Sequence, residues 1–180
     1  MIYEAGSASG YSISESGNLY GANGGVWELF RGTEGWSERF FHIFCRTNCR
    51  DGENALAPPV FDAAGNLYGT TEFGGNMDTQ WCPTSGGCGV AYQVQSLGGG
   101  KWQYRVLHRF GAFSNDGQLP FKMTPQADRK WTYTVLHRFK GTDEYGPGYN
   151  LIFDSGYKHL YGTTAAGGSG GYGVVYEITP

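Results

Sequence analysis

The feature that most constrains this chain is an internal repeat. Leu-Tyr-Gly stands at 19–21, 67–69 and 160–162. A Trp followed six residues later by His and eight later by Phe stands at Trp36/His42/Phe44, Trp102/His108/Phe110 and Trp131/His137/Phe139. The spacing is 48 residues from Tyr20 to Tyr68 and 93, nearly two periods, from Tyr68 to Tyr161. A period of about 45–50 residues is that of propeller blades and related arrays, in which one unit cannot bury its apolar face alone.

The fullest copy reads as four strands. The first ends at Asp62 and a turn follows at Ala64-Gly65-Asn66. Then come Leu67–Thr71, Val90–Val94 and Trp102–Phe110. Alternation predicts that Trp102, Tyr104, Val106 and His108 share one face of the fourth strand. The acid before the turn recurs as Asp62 and Asp154, with Glu15 assigned to the equivalent place. Third strands are expected at Val26–Leu29, Val90–Val94, Phe121–Pro125 and Val174–Pro180. The copy beginning at Phe121 has no Leu-Tyr-Gly of its own, because Asp116–Pro120 runs straight into its third strand. Four strands per unit fit a propeller blade. The expected fold is all-β, a small propeller-like ring of about four or five four-stranded repeats, some incomplete. It is a single domain over 1–180, with approximate units 1–58, 59–120, 121–150 and 151–180. An open array, or a homo-oligomer that completes the ring, is the alternative.

Composition agrees with that fold. The 31 glycines supply tight connections, and the 16% aromatic residues favour pleated, half-buried strands. Charged residues are only 16% and the net charge is −3. No basic stripe is present, which speaks against a nucleic-acid partner. No apolar run approaches a membrane span.

Gly65-Asn66-Leu67-Tyr68-Gly69-Thr70-Thr71, with Gly173-Val174-Val175-Tyr176 and Val135-Leu136-His137-Arg138-Phe139, resembles the GloVer tandem-repeat family of Gly-rich bacterial proteins. The resemblance covers most of the chain, from about Tyr11 to Pro180. It implies a repeat β architecture and an exported protein, and it brings no catalytic residues. The departures are the missing strands before Phe121 and Lys158-His159 where the turn has Gly-Asn elsewhere.

Cys45/Cys49 and Cys82/Cys88 form two close pairs in expected loops. Two short disulfides of a secreted or cell-surface protein are the leading reading. Free thiols and a zinc site with unusual spacing are the alternatives. The repeated His42, His108 and His137, like Tyr20, Tyr68 and Tyr161, read as structural, because chemistry is rarely copied into every repeat. Sites are sought where copies differ. His159 is the candidate catalytic residue. The insertion Glu72–Gly89 offers Glu72, Asp78 and Trp81 as ligand-binding residues, since long loops on rigid scaffolds often bind. Asp62, Asp154 and Glu15 are candidate calcium ligands, as carboxylates in Gly-rich turns suit that ion. Turn capping is the plainer role for them.

The leading functional expectation is a non-catalytic module binding a small molecule or glycan, with Trp and Tyr stacking on sugar faces. The alternative is a calcium-dependent hydrolase of lactones or esters in a propeller channel. A pure scaffold is the third reading.

Overall fold

The computed structural model describes residues 11–78, 80–82, 86–114, 116, 119–127, 130–139, 144–147 (backbone only), 151–156 and 158–179. These residues are all-β, with no helix and four antiparallel sheets. The chain falls into two compact units, Met1–Ser114 and Asn115–Pro180.

Unit 1 holds two four-stranded meanders. The first is β1 (Ser12–Ile13), β2 (Leu19–Asn23), β3 (Gly25–Gly32) and β4 (Gly35–Ile43), paired in chain order. The second is β5 (Val60–Phe61), β6 (Leu67–Thr70), β7 (Val90–Ser96) and β8 (Trp102–Arg109), paired the same way. Each meander is one repeat.

In both sheets the Leu-Tyr-Gly strand alternates strictly, so Leu and Gly point to one face and Tyr to the other. The glycine is fixed by what lies across from it. Gly21 pairs with Trp27 and Gly69 with Tyr92. In each case the ring of the third-strand aromatic lies over the glycine, where a Cβ would overlap it. Unit 2 repeats the arrangement with Gly162 opposite Tyr176. The Gly of the motif and the aromatic of the third strand are therefore one device.

The Tyr face of the first sheet packs on the Leu-Gly face of the second. Tyr20 meets Phe61 edge-on at 4.9 Å, Phe41 meets Trp102 at 4.4 Å, and His42 stacks on Tyr104 at 3.7 Å. Phe44 closes the layer against Tyr92. The core between the sheets includes Tyr20, Val26, Phe44, Leu67, Val90 and Val94, all buried. Face-to-face aromatic and aliphatic packing of this kind is the main stabilising term in a two-layer β unit.

A bulge revises one sequence expectation. The register of β7 on β8 shifts between Ala91 and Tyr92, so Tyr92 pairs with Val106 and Ala91 with His108. Adjacent residues of β7 face opposite sides, so His108 leaves the face of Trp102, Tyr104 and Val106. The same shift between Val26 and Trp27 sets His42 opposite Val26. The extra residue, Phe41 or Leu107, increases local twist. Simple alternation has no way to register it.

In unit 2, β9 (Phe121–Pro125) and β10 (Trp131–Val135) form a two-stranded hairpin. This is a repeat reduced to its third and fourth strands, as expected from the missing Leu-Tyr-Gly. The other sheet of unit 2 centres on β13 (Leu160–Gly167). It pairs with β11 (Glu144–Pro147), β12 (Ile152–Phe153) and β14 (Val175–Ile178). Phe139 meets Tyr176 edge-on at 5.2 Å.

Cys45–Cys49 and Cys82–Cys88 are disulfide-bridged, and no cysteine is free. Two bridges are compatible with an extracellular protein. Among the described residues no helix is long and apolar enough to cross a membrane. Denatured, unreduced protein should give no titratable thiol in a colorimetric assay. Four thiols per chain would refute the bridges.

The buried Tyr92 yields a sharper prediction. Its hydroxyl lies over Gly69 and, among the described residues, has no hydrogen-bond partner. Burial pushes its phenol well above the usual range. Tyr92→Phe removes an unpaired buried group, whose burial costs about 1–3 kcal/mol. It should therefore leave stability unchanged or raise it. Gly69→Ala forces a methyl into the ring and should lower stability by about 1–3 kcal/mol. Denaturant unfolding of both variants checks the pair of signs.

Candidate functional site

Every Leu-Tyr-Gly motif builds a small polar cluster around its tyrosine hydroxyl, but the carboxylate comes from different places. In the first repeat Tyr20 donates to Glu28 on β3, 2.6 Å away. Glu28 is also held by Asn18 and by the Arg39 guanidinium. In the second repeat the third-strand residue is Gln93, and the carboxylate is Asp62 in the turn. Tyr68 donates to Asp62 at 2.9 Å and accepts from Gln93 Nε2 at 2.8 Å. In the last repeat Glu177 of β14 is the cross-strand partner of Tyr161, and His159 Nδ1 lies 2.9 Å from Glu177 Oε1. Position by position, Glu28, Gln93 and Glu177 follow the third-strand aromatic directly in sequence. This pattern is legible in the sequence alone.

The phenols respond accordingly. Burial, helped by Glu28, pushes Tyr20 up to about 12. Burial and Asp62 raise Tyr68, and the Glu177 hydrogen bond with burial raises Tyr161.

The structure corrects the assignment of Glu15. Ser14, not Glu15, occupies the place of Asp62. Ser14 N bonds Asn18 O as Asp62 N bonds Asn66 O, both at 3.0 Å. The Ser14 hydroxyl accepts from Asn18 N at 3.2 Å. The side chain of Glu15 is exposed. The sequence reading sought an acid, whereas the turn needs only a short acceptor.

Asp62 is engaged by its own turn and by Tyr68 of β6. It accepts from Ala64 N, Asn66 N, Asn66 Nδ2 and Tyr68 Oη at 2.8–2.9 Å. Asp154 accepts from Lys158 N at 2.7 Å and His159 N at 3.2 Å in a turn one residue longer. The histidine thus stands where the other copies carry Asn, with Thr179 Oγ1 3.4 Å from Nδ1. The group of three metal-ligating side chains found among the described residues is Cys45, Cys49 and Glu53, and the disulfide engages both sulfurs.

The repeated histidine is explained by His42. Its Nε2 lies 2.7 Å from Asp51 Oδ2, and its ring is sandwiched on Tyr104. Asp51 Oδ1 accepts from Cys45 N, and Asp51 O accepts from the Tyr104 hydroxyl. This group ties the first repeat, the loop after it and β8 together.

The residues that differ between copies gather elsewhere in unit 1. The loop after β4 and the 72–89 insertion lie together. Glu53 and Phe73 exchange backbone bonds, and Gly75 N donates to Cys49 O. Cys45, Cys49 and Asn54 adopt positive φ, between 52° and 59°, which holds the first loop in a tight path. Glu72 accepts from Asn54 Nδ2 at 2.5 Å, so it is a strut of this layer. Asp78 lies 3.8 Å from Arg50, and both side chains are largely exposed. Trp81 is 43% exposed. Arg50 is the member that sequence reasoning missed. It belongs to the other loop, and only folding brings it to Asp78. The layer is an open polar-aromatic surface, braced by two disulfides.

Comparison with known proteins finds no matching family model, no matching curated protein and no matching solved structure. The functional reading therefore rests on this geometry.

A pH prediction follows from Asp62. Burial raises its pKa, but the four hydrogen bonds outweigh it and hold the carboxyl below its usual value. A folded pKa below the unfolded one means that the group stabilises the fold above the unfolded pKa, about 3.9. That contribution is lost as pH falls through the folded value. Asp62→Asn should therefore lower the melting temperature at pH 6, and the gap should close on acidification toward pH 2. A constant gap across that range would assign the effect to shape alone.

Proposed function

We propose that this chain is an exported, non-catalytic repeat module of propeller-like architecture, akin to the GloVer tandem repeats, that binds carbohydrate through the bridged loops of unit 1. One observation carries the reading. The recurrent polar groups described above are engaged in hydrogen bonds within the fold, while Trp81 is 43% exposed and the side chains of Arg50 and Asp78 are largely exposed. An exposed indole offers a flat apolar face for a sugar ring. The guanidinium of Arg50 donates to hydroxyls and the carboxylate of Asp78 accepts from them. A rigid base favours such binding because little ordering entropy is lost.

The calcium-dependent hydrolase reading needs carboxylates available to an ion. Asp62 would have to give up three hydrogen bonds within its own turn and one from Tyr68 to serve. The turn acids enter the proposal as structural groups, and His159 as the partner of Glu177.

The test is a glycan array followed by titration calorimetry on the best hit. Trp81→Ala should weaken binding at least about tenfold, roughly 1.4 kcal/mol, with an unchanged melting temperature. Asp78→Asn should weaken it less. Glycan affinity indifferent to Trp81→Ala would overturn the site, and turnover of lactone or ester substrates would overturn the non-catalytic assignment.

A further inference from the structure

The packing inside unit 1 supplies a template for a second interface. There the Tyr face of one repeat covers the Leu-Gly face of the next. On the covered Leu-Gly face stand Pro59, Phe61, Trp102 and Val106. Pro59 is fully buried, and the other three pack on the core. The register of the two sheets maps these residues onto Tyr11, Ile13, Trp36 and Phe40 of the first repeat. Those four are 56%, 68%, 38% and 47% exposed. The first repeat thus presents, uncovered, the rim of the face that its successor buries.

The last repeat presents the opposite half. On the Tyr face of the first repeat, Ala22, Val26 and Glu28 are buried under the second sheet. Cross-strand register maps them onto Thr163, Val175 and Glu177. Ser12, paired with Tyr20 and bonded to Pro59 O, maps onto Ile152, paired with Tyr161. Ile152 is 65% and Val175 76% exposed. The buried Glu28 is paired with Arg39, and on the last repeat His159 Nδ1 lies 2.9 Å from Glu177 Oε1. Glu177 therefore keeps a side-chain partner on that face.

We infer that these two faces bind each other between copies of this chain, head to tail. The Leu-Gly face of the first repeat in one copy packs on the Tyr face of the last repeat in another. Each copy carries one of each face, with Tyr11, Ile13, Trp36 and Phe40 exposed around Glu38 on one and Ile152 and Val175 exposed on the other, and the Tyr20–Phe61 and Ser12–Pro59 contacts within the chain are the template. Such a heterologous contact closes into a ring or runs on as an array.

The experiment is sedimentation velocity over a wide concentration range on wild type, Phe40→Asp, Val175→Asp and their mixture. Both positions are exposed, so each variant should melt as wild type does. Ile13→Lys and Ile152→Lys form the substitute pair if either fails to fold. Wild type should assemble with rising concentration, and each single variant should stay monomeric. The equimolar mixture should give a 1:1 dimer and nothing larger, because one intact face of each kind survives. A wild type that stays monomeric, single variants that assemble, or a mixture that does not pair would overturn the inference. A monomeric wild type whose single variants melt lower would place the contact within one chain.

Discussion

The structure depends on a steric opposition between glycine and aromatic ring. On the second strand of each complete repeat a glycine faces Trp27, Tyr92 or Tyr176 across one antiparallel step. With no Cβ, the ring lies flat against the neighbouring backbone and fills the layer, where any other residue would collide with it. This fixes the register of the second and third strands. A slip of one residue would send the aromatic to the far face and put a side chain under it. Once that pair is set, Leu joins the ring on one face and Tyr is left on the other.

That division explains why the two faces of a repeat differ. The Leu-Gly face of the second sheet is apolar and receives the sheet that precedes it in sequence. The Tyr face carries a hydroxyl and a carboxylate, and burying both demands hydrogen bonds on every oxygen. The repeats meet the demand with different residues. Glu28 supplies the charge from a strand while Ser14 caps the turn. In the next repeat Asp62 supplies it from the turn while the strand carries neutral Gln93. One carboxylate per tyrosine is kept in these two copies, and its origin is free. Charge repulsion accounts for this, since two unpaired acids around one half-buried phenol would oppose each other. The last repeat carries acids at both places, Asp154 and Glu177, and there His159 pairs with Glu177.

The proposed binding surface stands on the parts that escape this scheme. The disulfide-bridged parts of the loop after β4 and of the 72–89 insertion have no counterpart in the other copies. They are held instead by disulfides, backbone exchange and the Asn54–Glu72 contact. A braced loop layer on a stiff sheet pair leaves its exposed side chains open to selection by a ligand. The same reasoning separates the sheet faces from that layer: they are built to receive another repeat.

The sequence by itself determined the all-β class, the recurrence of Leu-Tyr-Gly, the copy starting at Phe121 that lacks it and the two close cysteine pairs. Each is dictated by local chemistry: a period, a turn residue, a glycine, a short thiol spacing. It also marked the 72–89 insertion as the place where the copies differ. Tertiary structure alone decided the rest. The bulges that turn His42 and His108 off the expected face depend on how two strands pair. The demotion of Glu15 in favour of Ser14 depends on which atom reaches Asn18 N. Arg50 meets Asp78 only because two loops distant in sequence share one layer. Pairing, register and loop proximity are relations between segments, and a single strand's pattern carries no record of its partner.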